Sequence, residues 1–172
     1  MALYRIYNGP MPTTASQAAV TTGTAIKTLL QVKMGPTTHG RVTEYGISFD
    51  GSAAATPGII ELCETNVGAT VTAHVAAGIH KIDALALAAG DPTTDFFEVG
   101  TGATGYTSTD EDGAGSITAV RMLDAQHIAP TNQFVVQRPL GREWILPPAS
   151  FTRIRVKFAA AVNAICYVEI DI

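Results

Sequence analysis

The chain has 172 residues, of which 47% are hydrophobic and only 15% charged, against roughly 25% charged in an average soluble domain. Its net charge is −4 and no segment concentrates Lys and Arg, which argues against a dedicated nucleic-acid binder, because phosphate contacts need clustered positive charge. Mean hydropathy is +0.21, yet no run of about 18 apolar residues exists to span a membrane as a helix, and the opening MALYRIYNGPMP lacks the basic flank and apolar stretch of a secretory signal.

The length suits one domain, and residues 1–23 read as an N-terminal arm ahead of a domain at 24–172. Within the arm, Leu3, Arg5 and Tyr7 alternate with Tyr4 and Ile6 before a run of Pro, Thr, Ser and Ala. The next segment, Ala25–Met34, sets Ile26, Leu30, Val32 and Met34 on one face and Lys27, Gln31 and Lys33 on the other, the period of a half-buried strand. Arg41–Phe49 groups Tyr45, Ile47 and Phe49 and ends at Asp50-Gly51. Ile59–Thr65 is bounded by Pro57-Gly58 and by Asn66-Val67-Gly68.

The middle of the chain is less regular. Thr70–Ala89 is rich in Ala, a helix former, but Gly78 and several β-branched residues favour short extended pieces with one helical turn. Asp91–Gly115 reads as a long polar surface loop, of the kind that usually makes contacts or carries function. Strands resume at Ser116–Leu123, Gln133–Arg138 and Glu143–Leu146. In the last quarter, Arg153, Arg155 and Lys157 alternate with Ile154, Val156 and Phe158, predicting one wet and one buried face. Asn163–Ile172 then places Ala164, Cys166, Val168, Ile170 and Ile172 together, and the short link between the two runs predicts a β-hairpin. About eight short strands without a strong helix predict an all-β, jelly-roll-like β-sandwich with an extended N-terminal arm and long loops.

Few motifs carry chemistry. Gly100, Gly102 and Gly105 spell GxGxxG, but the turn-rich residues that follow offer no helix N-terminus to a pyrophosphate. Asp110, Glu111, Asp112 and Gly113 form an acidic loop tip with too few oxygens, in the wrong order, for a calcium loop. His39, His74, His80 and His127 contain no HxH pair. On one strand His74 and His80 would share a face but lie about 20 Å apart. Glu61, Glu64 and Glu98 show no pairing at glycosidase spacing, and no GxSxG, HExxH or P-loop occurs. The expectation is a protein without catalytic, cofactor or metal-binding residues. Cys63 and Cys166, each in an apolar strand, read as buried thiols, with a disulfide between adjacent strands left open.

Arg138, Arg142, Arg153, Arg155 and Lys157 gather much of the positive charge of the later chain. Were their strands consecutive neighbours, they would form one basic face, a candidate docking face for an acidic partner. The scarcity of charge elsewhere leaves a surface of Ala, Thr, Ser and Gly that costs little to desolvate and suits subunit contacts.

The segment Arg138-Pro139-Leu140-Gly141-Arg142-Glu143-Trp144-Ile145-Leu146-Pro147-Pro148, followed by FTRIRVKFAAAVNAICYVEIDI, resembles the end of small virion proteins of tailed bacteriophages. Tyr45-Gly46-Ile47-Ser48-Phe49-Asp50-Gly51 with Pro57-Gly58-Ile59-Ile60-Glu61-Leu62 is similar to an early strand pair of that group. The resemblance implies a jelly-roll capsid decoration (cement) protein, often a homotrimer, made in the bacterial cytoplasm and seated on the capsid surface of the virion. Its partner would be the major capsid protein, and its arm would order on the shell. The rival expectation is a tail-fibre or spike module that reads cell-surface carbohydrate, with Tyr106 and Trp144 as its aromatic platforms.

Overall fold

The computed structural model describes residues 2–52, 56–82, 96–108, 117 and 120–172. In chain order the strands are β1 (Leu3–Tyr7), β2 (Val20–Thr21), β3 (Lys27–Met34), β4 (Gly40–Phe49), β5 (Gly58–Thr65), β6 (Val71–Ala73) and β7 (Ile79–Lys81). They continue with β8 (Phe97–Glu98), β9 (Gly105–Ser108), β10 (Val120–Ile128), β11 (Gln133–Gln137), β12 (Trp144–Leu146), β13 (Phe151–Lys157) and β14 (Asn163–Asp171). Between β6 and β7 a 3-10 turn covers Ala76–Gly78, so residues 70–82 hold short extended pieces and one turn, as their Gly and β-branched content predicts, while 83–89 of that stretch lie outside the described residues.

Two antiparallel sheets pack face to face. Sheet A runs β11-β4-β14-β1-β7, with β12 also on β4 and β2 on β14. Sheet B runs β10-β5-β13-β3-β9-β6, with β8 on β3. The eight principal strands are β1-β14-β4-β11 in one sheet and β3-β13-β5-β10 in the other. Among them every connection crosses between sheets except β5 to β10. This is the strand order of a jelly roll, and the fold is an all-β, jelly-roll-like sandwich.

The core lies between the sheets. From sheet A come Tyr4, Ile6, Tyr45, Ile47, Val168 and Ile170; from sheet B come Leu30, Val32, Ile60, Leu62, Ile154 and Val156. Each set follows the period of two that its sequence shows. Phe49 and Phe158 meet edge to face at 4.9 Å, closing one end of the layer.

Three expectations are corrected here. β13 and β14 are not a hairpin: residues 158–162 carry the chain from sheet B to sheet A, so the two strands lie in opposite layers. Alternation specifies which side chains share a face but not which strand pairs with which. Leu3–Tyr7 is not part of an arm either. It is an inner strand of sheet A, hydrogen-bonded between β14 and β7, because Tyr4 and Ile6 are buried to 1% and 0% exposure. Finally, the second face of sheet B is wet only in part, with Lys157 exposed but its centre covered. Gln31 and Arg153, both at 0% exposure, lie under the segments 67–71 and 101–104.

Candidate functional site

The structure disperses the five basic residues of the expected docking face. Arg138 and Arg142 flank the link between β11 and β12 in sheet A, whereas Arg153, Arg155 and Lys157 belong to β13 in sheet B. Arg153 reaches up to the carbonyl of Val67 and, at 3.4 Å, to the hydroxyl of Thr28. Next to it, Gln31 donates to the carbonyl of Ala103 at 2.6 Å while its oxygen accepts from the Ala69 amide at 2.7 Å. These two side chains therefore satisfy loop groups that would otherwise be buried without partners. Arg155 is paired with Glu61 at 2.7 Å and largely covered. Lys157 and Arg142 are exposed, Arg138 half-buried, and the five form no common face.

The carboxylates singled out from sequence are each held by a neighbouring cation. Glu61 accepts from Arg155, Lys33 contacts Glu98 at 2.5 Å, and Arg121 Nε donates to Glu64 at 2.7 Å. On the outer side of sheet A, Glu44 and Glu169 stand directly opposite one another in register. Arg5 bridges them, at 2.5 Å from Glu169 and 3.6 Å from Glu44. Tyr167 donates to Glu44 at 2.5 Å, and burial, reinforced by this bond, pushes its phenol well above the ordinary range. The guanidinium of Arg5 also sits over the Tyr167 ring at 4.6 Å. The repulsion of two like charges facing each other is thus offset by a shared cation and a hydrogen-bonding phenol. Sequence could not pair Glu44 with Glu169, which are brought together only by the β4–β14 register.

The histidines separate by environment. His39 and His127 are exposed. His74 is buried, and its Nε2 lies 2.8 Å from the Tyr7 carbonyl, which requires the proton on that nitrogen. His80 meets the Tyr7 ring edge to face at 5.7 Å. The Ala76–Gly78 turn folds the chain back, so both rings bracket Tyr7 instead of standing 20 Å apart along one strand. Gly78 permits this, since a Cβ there would fall 2.3 Å from His74 Nδ1. Among the described residues no group of three or more His, Cys, Asp or Glu side chains is placed to hold a metal ion.

Gly100 and Gly102 lie between β8 and β9, in a turn closed by the Ala103 amide on the Gly100 carbonyl at 3.0 Å, and Gly105 begins β9. A strand, not a helix, follows them. The expected aromatic platforms are also occupied. Tyr106 lies on β9 against His74 at 4.9 Å, and Trp144 is half-buried beneath Arg138 at 4.6 Å. The acidic tip at 110–113 falls outside the described residues, as do 91–95 and 109–115 of the expected 91–115 loop, whose described part, 96–108, is not all loop but carries β8 and β9, each paired with β3.

What is exposed is an apolar end of the sandwich that alternation did not reveal. β10 is the edge of sheet B and pairs with β5 alone among the described strands. Its Val120 and Met122 stand about half in solvent, at 46% and 45% exposure, with Ile145 of β12 at 57%. Arg121 ties the two elements together by donating to the Ile145 carbonyl at 2.6 Å. Beside them an open cleft of about 540 Å³ runs between Glu64–Asn66 and Pro147–Ser150. Val120 and Met122 thus leave exposed apolar side chains on an edge strand, which native sheets commonly blunt or cover. The sequence signal is the run Val120-Arg121-Met122-Leu123, whose apolar residues outnumber what one buried face takes.

Comparison with protein-family models, with curated proteins and with solved structures gives no match.

Proposed function

We propose that this chain is a non-enzymatic structural protein of a tailed-phage virion, which binds the outside of the capsid and decorates or stabilises it. The observation that carries the reading is the jelly-roll strand order combined with the apolar edge formed by Val120, Met122 and Ile145. The resemblance of 138–148 and 151–172 to small virion proteins supports it. So does the neutralisation of Glu61, Glu64 and Glu98 by local cations, which leaves these carboxylates engaged in holding strands. The mechanism is multipoint attachment: a rigid sandwich that touches several major capsid subunits forces their contacts to break together. Docking uses the apolar edge, since Arg153 and Arg155 lie inside the protein.

Co-sedimentation of the purified chain with expanded heads of the major capsid protein from the same virus tests this. Saturable, stoichiometric binding that raises the temperature of head disruption is expected, and Met122→Asp should weaken it without altering the fold. A chain that stays in the supernatant at every concentration overturns the proposal.

A further inference from the structure

β11 and β12 lie end to end along β4, and between them residues 138–143 leave the sheet. This excursion is braced. The Arg142 amide donates to the Pro139 carbonyl at 2.9 Å, closing a turn whose third residue, Gly141, has φ of 82°. The Glu143 carboxylate accepts from the Gly141 amide at 2.9 Å, and Arg138 packs on Trp144 while donating to the Arg142 carbonyl at 3.0 Å. At the corner of this fixed turn Leu140 is 93% exposed. The braced turn thus presents a leucine to solvent in a fixed position, pre-organised for a contact.

Beside the turn, an open groove of about 670 Å³ crosses the outer side of sheet A. Leu3, Ile82 and Leu140 give part of it an apolar lining, and Arg138, Glu143, Glu169 and Asp171 stand in its wall. One oxygen of Asp171 is buried with no hydrogen-bond donor. Its cross-strand neighbour Arg41 is exposed and makes no ion pair among the described residues. Two residues from Leu140, the exposed Arg142 likewise has no carboxylate partner among the described residues. Knob and groove thus carry complementary groups: an apolar side chain with a cation beside it, and a part-apolar recess walled by the half-buried Asp171, whose reachable oxygen is the one not buried.

We infer that the occupant of this groove is a second copy of the chain, with Leu140 of each copy in the groove of the other and Arg142 of each on the partner's Asp171. Because knob and groove are adjacent on one surface, the pairing closes as a two-fold. It takes the place of the three-fold association that the phage resemblance implies. The inference does not depend on capsid binding, and its test uses the purified chain alone.

Light scattering and sedimentation velocity on the wild-type protein should show mass rising with concentration to that of two chains. Leu140→Ser, at a position too exposed to affect folding, should weaken association by on the order of tenfold or more. Arg142→Glu and Asp171→Arg should each be monomeric with unchanged circular dichroism, and mixing the two should restore the pair, since both swapped contacts then match. A wild-type mass of one chain at all concentrations, or of three chains indifferent to these substitutions, overturns the inference. So does a mixture of the charge variants that stays monomeric.

Discussion

The Tyr45 hydroxyl, on β4 of sheet A, donates to the Asp124 carboxylate on β10 of sheet B across 2.6 Å. Tyr45 is buried to 0% exposure, so this bond ties the two layers together through an otherwise apolar core. It exists because β10 bulges between Met122 and Asp124, which turns Asp124 inward. The carboxylate also accepts from the Ala125 amide at 2.9 Å, so its other oxygen is fixed. Burial and the adjacent charge push the Tyr45 phenol far above its ordinary range, keeping it a donor at any working pH.

Removing that donor leaves a charged acceptor beside the core. Tyr45→Phe should destabilise by about 1.5–3 kcal/mol, the worth of a hydrogen bond to an ionised group. Asp124→Asn keeps an acceptor and should cost less. Urea midpoints of the single and double variants check this: the double variant should fall short of the sum, because both changes remove the same bond.

Arg153 looks like a surface residue in sequence and behaves as a core residue in the fold. Arg153→Ala should cost on the order of 3 kcal/mol, since it strips a donor from the Val67 carbonyl and empties space under the covering loop. Lys157→Glu, two positions on from Arg155 and exposed, should stay within about 0.5 kcal/mol of wild type. Equal unfolding midpoints for the two variants would show that Arg153 is not holding that loop.

Acid should loosen the region around Tyr7. Burial lowers the pKa of His74 below its ordinary value of 6.5, against the opposing bond to the Tyr7 carbonyl, and His80 adds to the lowering. His80 is itself lowered by burial and by Arg5. The unfolded chain therefore binds more protons than the folded one as pH drops through the ordinary histidine range. Stability from these groups is complete above about pH 6.5 and declines as pH falls toward their folded-state values. Denaturation midpoints from pH 8 to pH 5 should be flat and then fall, and His74→Gln should shrink that fall.

Cys63 lies in sheet B and Cys166 in sheet A, both buried and neither in a disulfide. Burial alone raises the Cys166 thiol far above its ordinary value. Neither should react with a thiol reagent in native protein over hours, and both should react at once in denaturant. Rapid native labelling of either would mean that its strand opens readily.

Strand positions were legible because half-buried strands write a period of two into the chain: Tyr45, Ile47 and Phe49, or Cys166, Val168 and Ile170, needed no partner to be recognised. Layer assignment was not legible. Five residues can turn a hairpin or cross a sandwich, and nothing in Phe158–Val162 distinguishes the two. β1 was obscured by its brevity and by the Pro-rich stretch behind it. For Arg153 and Gln31, alternation correctly set them opposite the core but could not say that 67–71 would lie over them. The Glu44–Glu169 pair and the Leu140 knob were hidden for a related reason. The first depends on a register between strands far apart in sequence, and the second on a turn whose neighbours are not sequence neighbours.

The place of β14 also governs how the molecule comes together. It is the shared neighbour of β4 and β1, and contacts such as Arg5 to Glu169 join residues 164 positions apart. The centre of sheet A therefore cannot assemble until β14 has been synthesised, and until then β1 has, among the described strands, β7 alone to pair with. Loop closure on that scale makes folding slow, on the order of milliseconds to seconds for such topologies, and strongly all-or-none. During that wait one edge of β1 and one of β4 are open to other chains, so yield in a cell will depend on how quickly β14 docks between them.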